Sequence, residues 1–363
     1  MTRESLLEEL RYQFRLVDRP DHRSDWTRLK ELTTASAGYV HDSIGGRVHL
    51  PRDQEIKRLT DAIEAAPAVV LLGPSGAGKS AIAKGCTDEL VADGGRCLWF
   101  EARSFDRVDY AAFEADLKLT HGLSELLTLV PDASALLVLD GLDRLYHAPA
   151  FALVASLLSA VKLGHQGSPW HLVVTCQTQE WLRLQESLLR AGVAATAWRM
   201  MECKPLSVEE LKLVWDSIPR AARLQHQRNL RPLLVNLKVL DLIAARLTTG
   251  SEVPTSTWVG ESSVAAWFWE SEIARSADGP PRARFVTLLA ERQAAALRPW
   301  VPLHELGVSD LGPLAGLVRD RVCRQTADDQ VVFEHDLFGD WARLRVVVSR
   351  SDSLVGFLRE QID

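Results

Sequence analysis

The stretch AVVLLGPSGAGKSAIAKGCTDEL, residues 68–90, decides how this chain is read. Apolar residues of strand length run into a glycine-rich turn, and a helix-compatible segment opens at Lys79. Gly73, Gly78, Lys79 and Ser80 fit G-x-x-x-x-G-K-[ST] in the strand–turn–helix setting that pattern requires. The glycines let the backbone turn so that amides from Ser75, Gly76, Ala77, Gly78, Lys79, Ser80 and Ala81 can surround an anion, and the helix N-terminus adds its partial positive charge. Lys79 is then placed to bridge β- and γ-phosphates, and Ser80 to ligate Mg2+. A turn of this kind without a ligand would have to match four positions and both flanks by chance.

Four more apolar runs of strand length lie downstream: RCLWFEA (96–102), ALLVLD (135–140), HLVVTC (171–176) and AWRMMEC (197–203), each separated from the next by helix-compatible sequence. Continuous apolar strands between helices are what a parallel sheet buried on both faces requires. Residues 46–205 therefore read as an α/β P-loop NTPase domain. ALLVLDGLD places Asp140 at a strand tip, where it would hold Mg2+ with Ser80, and Asp143 three residues on. Asp143 either orients an attacking water or caps the next helix. Gly141 stands where many hydrolysing motors carry a glutamate, which points to slow turnover. Gln177, after the strand 171–176, is either an uncharged γ-phosphate sensor or a polar strand end.

Past Pro205 the strand pattern stops. In LSVEEL, Ser207 and Glu210 have capping-box spacing, and RPLLVNLKVLDLIAARL reads as one helix starting at Pro232 with Leu233, Leu237, Leu240, Ile243 and Leu247 on one face. Residues 206–262 form a small helical domain on this reading. Within 263–363, helices are expected at ARFVTLLAERQAAAL and VSDLGPLAGLVRD, a hairpin turning at TADDQ, and a last helix starting at Asp336. This is the pattern of a winged-helix domain. Trp267, Phe268 and Trp269 read as packing between modules, with a partner surface as the minority reading. On a strand, Val331, Phe333 and His335 share one face. His335 is then either a core histidine or a phosphate donor. Residues 1–45 read as an amphipathic segment (Leu6, Leu7, Leu10, Phe14, Val17) followed by a polar linker.

The chain has 363 residues, more than one ordinary core of about 150 residues can hold. With 47% apolar and 25% charged residues it reads as globular rather than disordered. A net charge of −6 gives no bulk reason to bind a polyanion, so a nucleic-acid partner is not expected. Cys86, Cys97, Cys176, Cys203 and Cys323 are scattered without a C-x-x-C pair, which argues against a disulfide framework or zinc cluster and fits a reducing cytoplasm. The longest apolar run, FALVASLLSAV (151–161), falls short of the ~20 residues of a membrane helix.

The P-loop, LDGLD, VTCQ, PLSVEEL and FEHDLFGDW, in this order, resemble the STAND class of signal-transduction ATPases, the NACHT and NB-ARC switch proteins, with the closest look to bacterial members. The resemblance covers about residues 46–350. It implies an ATP/ADP switch with Mg2+ that hydrolyses slowly and is held closed by ADP. It implies that His335, beside Asp336, touches the β-phosphate. Arg52 resembles the arginine ahead of the P-loop, although Pro51 stands where glycine is usual, and Pro232 resembles the proline packed on adenine. Gln177 replaces a common sensor arginine. Self-association on activation, an effector or sensor module outside this chain, and defence or stress signalling are further implications. A DNA-binding winged-helix ATPase of the origin-recognition type is the alternative, and a small-molecule kinase is disfavoured by the helical and winged modules behind the sheet.

Overall fold

The computed structural model describes residues 20–349, apart from 130–133, 164, 166–167, 194–197, 228–229, 251–252, 256–257, 259, 275–277, 308–309 and 327. In chain order the elements are α1 (Arg23–Gly38), β1 (Ser43–Ile44), β2 (Val48–His49), α2 (Asp53–Ala65), β3 (Ala68–Leu72), α3 (Lys79–Ala92), β4 (Arg96–Glu101), α4 (Tyr110–Leu117), α5 (Leu123–Thr128), β5 (Ala135–Asp140), α6 (Ala148–Ala160), β6 (Trp170–Cys176), α7 (Trp181–Arg190) and β7 (Arg199–Glu202). They continue with α8 (Val208–Ser217), α9 (Arg231–Leu234), α10 (Leu237–Thr248), α11 (Glu261–Phe268), α12 (Gly279–Ala295), β8 (Trp300–Pro302), α13 (Leu314–Arg319), β9 (Cys323–Gln325), β10 (Gln330–Phe333) and α14 (Asp336–Ser349).

The five expected strands form one parallel sheet in the order β4-β5-β6-β3-β7. Alternation along β3, β4, β5 and β6 feeds two cores, while β7 contributes only Met201 to one of them. Ala68, Val70 and Leu72 join Leu137, Leu139 and helices α4 to α7 on one face, while Val69 and Leu71 join Val138, Leu59 of α2 and Ile82 of α3 on the other. With both faces covered, apolar residues are needed at every strand position. The chain is an α/β P-loop NTPase sheet followed by a helical region and a small antiparallel sheet.

The stripe from Leu6 to Val17 lies outside the described residues. The polar stretch after it is not a plain linker, because it contains α1. This helix lies against β4, an edge of the sheet, and its Thr33 hydroxyl donates to Cys97 O and accepts from Trp99 N, both at 3.3 Å. An edge strand covered this way no longer offers free pairing groups at that point. The buried positions of α1 are Asp25, Leu29, Thr33 and Ala37, so half of the inward face is polar and the period is faint in the sequence.

Past residue 205 one continuous core runs from Leu206 through α10 and α11 to Phe338 and Trp341, and it takes in Ile44, Val48 and Leu50 from the β1–β2 ribbon. Ser207 and Glu210 make the capping box. The single helix expected from Pro232 is two helices: α9 stops at Leu234, and Asn236 caps α10 by accepting from the amides of Lys238 and Val239. The winged region has the expected hairpin, β9 with β10, plus β8, a third strand the sequence pattern did not reveal. Phe268 stacks on Phe338 at 4.2 Å and is buried beside Trp269, so that aromatic cluster packs inside the core.

Candidate nucleotide-binding site

The loop 73–80 joins β3 to α3 near the middle of the sheet. Gly76 and Gly78 have φ of 78° and 90°, left-handed values that cost a residue with a side chain about 1–2 kcal/mol. No side chain caps the first turn of α3, so its amides keep the orientation an anion would use. Lys79 Nζ donates to Gly73 O and Pro74 O, both at 2.9 Å, and is drawn back along the loop. Burial pushes its pKa down, against the pull of Asp143 and Asp140.

Asp140, at the tip of β5, is separated from β3 by β6. Its Oδ1 accepts from Ser80 Oγ at 2.7 Å and from Thr175 Oγ1 at 2.6 Å, and Thr175 accepts in turn from Gly141 N at 2.8 Å. Burial pushes the Asp140 pKa up, and the two hydroxyls and Arg144 oppose that shift. Ser80 and Asp140 are hard oxygen donors in direct contact, a set that suits Mg2+. Thr175, the threonine of VTCQ, had no role assigned from sequence, although a hydroxyl residue near the end of a buried strand is the available signal. Asp143 is buried, and its Oδ2 accepts from Gln177 Nε2 at 3.1 Å. Both residues therefore sit together past the carboxyl ends of the neighbouring strands β5 and β6, with Arg183 donating to Asp143 O at 2.6 Å.

The helical region grips the loop directly. Leu237 N donates to Gly76 O at 2.8 Å, Asn236 Nδ2 to Ser75 O at 3.1 Å, and Lys238 Nζ to Ser75 Oγ at 3.3 Å. A Cβ on Gly76 would stand 2.0 Å from Asn236 Oδ1, so this approach requires glycine. Lys238 also donates to Asp336 Oδ2 at 3.1 Å, and Arg144 pairs with the same oxygen. Burial opposes ionisation of Asp336, but Arg144 and Lys238 outweigh it and hold the carboxyl well below the usual range. Arg144 is held above its ordinary value against the effect of burial by Asp336, Asp143 and Asp140. Asn236 is legible as a cap between two helical patterns. Arg144 and Lys238 carry no local signal, since what they meet is far away in sequence.

His335 packs edge-on against Phe338, with Nε2 3.7 Å from Asp241 Oδ2, and its neighbour Asp336 makes the connection to the loop. His41 lies edge-on to His335 and pairs with Glu334 at 2.9 Å. Arg52 is buried, donating to Lys204 O at 2.6 Å and facing Glu210 at 3.1 Å, which ties α2 to the capping box of α8. Pro232 is exposed on α9.

No protein-family model and no curated protein matches the chain. Solved structures similar to it include a Walker-type ATPase of Pyrococcus abyssi, 13% identical over 81% of this chain and 96% of that one, with a TM-score of 0.39. Cdc6p of Pyrobaculum aerophilum is 12% identical over 85% and 98%, with a TM-score of 0.34. A chain of Drosophila ORC bound to DNA is 14% identical over 94% and 99%, with a TM-score of 0.37. The fold assignment rests on the strand order and the phosphate loop themselves.

Proposed function

We propose that this chain binds an adenine nucleotide with Mg2+ at the loop 73–80, hydrolyses ATP slowly, and works as a switch whose ADP-bound form is closed by the helical and winged regions. The observation that carries this reading is the Asp336 junction. One carboxylate at the head of α14 joins Arg144, four residues past Asp140, to Lys238, which reaches Ser75 in the loop. A change in the phosphates at the loop is thereby felt by three regions of the chain.

In this reading the loop amides and Lys79 bind the β- and γ-phosphates, and Ser80 and Asp140 hold Mg2+ with Thr175 fixing the carboxylate. When bound, the metal supplies charge neutralisation between the phosphates. Asp143, oriented by Gln177, positions a water. Gly141 offers no carboxylate of its own, which favours slow turnover. Arg144, whose charge acts on both Asp140 and Asp336, takes the role that Gln177 cannot fill. Opening releases surfaces for self-association, with defence or stress signalling as the setting the family resemblance suggests.

The test is the nucleotide released when freshly purified protein is denatured. Near-stoichiometric ADP is expected, and an empty site that turns over added ATP would overturn the closed-by-ADP reading. A second reading, a DNA-binding ATPase, is favoured by one feature: Arg319 and Arg321 face solvent where α13 meets the hairpin. Asp328 and Asp329 are exposed at the hairpin's turn and oppose it. Salt-dependent DNA binding by the full chain, lost in Arg319→Ala/Arg321→Ala, would establish that reading instead.

A further inference from the structure

At the opposite side of the sheet from the helical region, the start of α1 meets the corner between α4 and α5. His22, Asp25 and His121 converge there, each with a metal-ligating atom, and these atoms all lie within 4.8 Å of one another. Asp25 is almost fully buried, 2% exposed. Its Oδ1 accepts from Thr120 N at 2.7 Å, and its Oδ2 lies 2.7 Å from His121 Nδ1 and accepts from His121 N at 3.3 Å. The His22 ring stands edge-on to the His121 ring at 4.5 Å. His22 Nε2 is 3.5 Å from Glu125 Oε1, whereas its Nδ1 is buried with no hydrogen-bond partner.

A histidine–aspartate pair is ordinary by itself. What it leaves unexplained is a second imidazole turned edge-on to the first, with one nitrogen on a carboxylate and the other shut away from water unpaired. A buried polar atom without a partner is costly, and a cation between the rings and Asp25 removes that cost.

We propose that His22 Nδ1, Asp25 Oδ2 and His121 Nδ1 bind a zinc ion, with water in the fourth position. Two imidazoles and a carboxylate are a zinc donor set, whereas Mg2+ and Ca2+ take oxygens. The outer contacts are already in place: Glu125 Oε1 lies 3.5 Å from His22 Nε2, and the Thr120 amide donates to Asp25. Such partners orient the ligands and set the imidazole tautomers. Around a tetrahedral ion with bonds of about 2.0–2.1 Å the ligand atoms stand about 3.3 Å apart, so His121 Nδ1 and Asp25 Oδ2, now at 2.7 Å, separate by about 0.6 Å on binding. The ion bolts α1 to the α/β domain beside the edge strand that α1 covers. It lies apart from the nucleotide loop and does not depend on the switch reading.

The test uses the full chain, stripped with chelator and dialysed, then given Zn2+ with Mg2+ in excess, with bound metal and melting temperature both read. The expected result is about one Zn2+ per chain and a raised melting temperature, with binding at least about tenfold weaker in His121→Gln and in Asp25→Asn, and weakened about tenfold in Glu125→Gln. If Asp25→Asn does not fold, His121→Gln, whose side chain is 25% exposed, carries the comparison. His41→Gln, at the separate cluster of His41, Asp241 and His335, should bind as the unaltered chain does. No zinc retained by the unaltered chain, or zinc lost in His41→Gln and kept in His121→Gln, overturns the site.

Discussion

Replacing Asp336 with Asn preserves the shape at the head of α14 and removes the charge shared by Arg144 and Lys238. The Lys238 contact joins side chains 21% and 29% exposed. It is worth about 1.5 kcal/mol, the low end for a hydrogen bond between charged groups. Arg144 is 39% exposed, so solvent screening reduces its share to about 0.5–1 kcal/mol. The closed state should therefore lose about 2–2.5 kcal/mol, a shift of roughly 30- to 60-fold toward the open state. A complete reversal of a two-state switch takes about 5.5 kcal/mol, so the variant is biased open without being fixed open. Hydrogen exchange of the nucleotide-free protein reads this directly, at the amides of residues 75–80 and of α14. Nucleotide affinity is a poorer readout, because the two freed cations also attract phosphate. Exchange unchanged from the parent chain would refute the Asp336 junction as the tie between these regions. The sign with pH also follows. A carboxyl held below its ordinary range stabilises the fold fully above that range and loses the effect only as pH falls below it.

Four other outcomes are expected. Thr175→Val removes a donor to Asp140 and should weaken Mg2+-dependent nucleotide binding about 10- to 100-fold, measured by calorimetry with and without Mg2+. Gly76→Ala should abolish nucleotide binding and lower the melting temperature, and adding Asn236→Ala should not restore either, since the left-handed backbone remains strained and α10 loses its cap. His41, raised above its usual pKa by its hydrogen bond to Glu334, stabilises the fold below the ordinary histidine range, an effect lost as pH rises through its folded value. Thermal unfolding across neutral and mildly alkaline pH should show that component, and His41→Gln should lack it. Burial pushes the Cys97 and Cys176 thiols up to about 12, and Cys86, Cys203 and Cys323 are buried too. The native chain should therefore resist iodoacetamide near pH 8 and react only when unfolded, as intact mass would show.

The sheet was legible because its inner strands β3, β5 and β6 are mainly apolar and buried, a pattern that a parallel sheet with helices on both faces imposes locally, whereas the edge strand β7, RMME, carries it only at Met201. The phosphate loop, Asp140 and the Ser207 capping box were legible for the same reason, since short spacings carry them. Features set by distant segments were not. Asn236 ends one helix and begins the next because it must reach Ser75, and the leucine periodicity around it continues unbroken through that point. Helix α1 reads as polar because Asp25 and Thr33 are buried against partners nearly a hundred and more than sixty residues away. His335 and Asp336 are adjacent in sequence, yet the turn into α14 sends them to different neighbours, and only Asp336 meets the cations near the loop.

Helix α14 is also a mechanical part. It has 14 residues and hence a length of about 21 Å. Asp336 is its first residue, and the stack of Phe338 on Phe268 lies two residues further on, so the head of the helix has both its charge contact and its pivot within one turn. The arm beyond Phe338 is about 16 Å, so a tilt of about 15°, of the size seen when packed domains rotate, would carry its far end about 4 Å. A displacement of that size at residue 349 is about that of a side chain, large enough to uncover or bury a contact for whatever lies against that end.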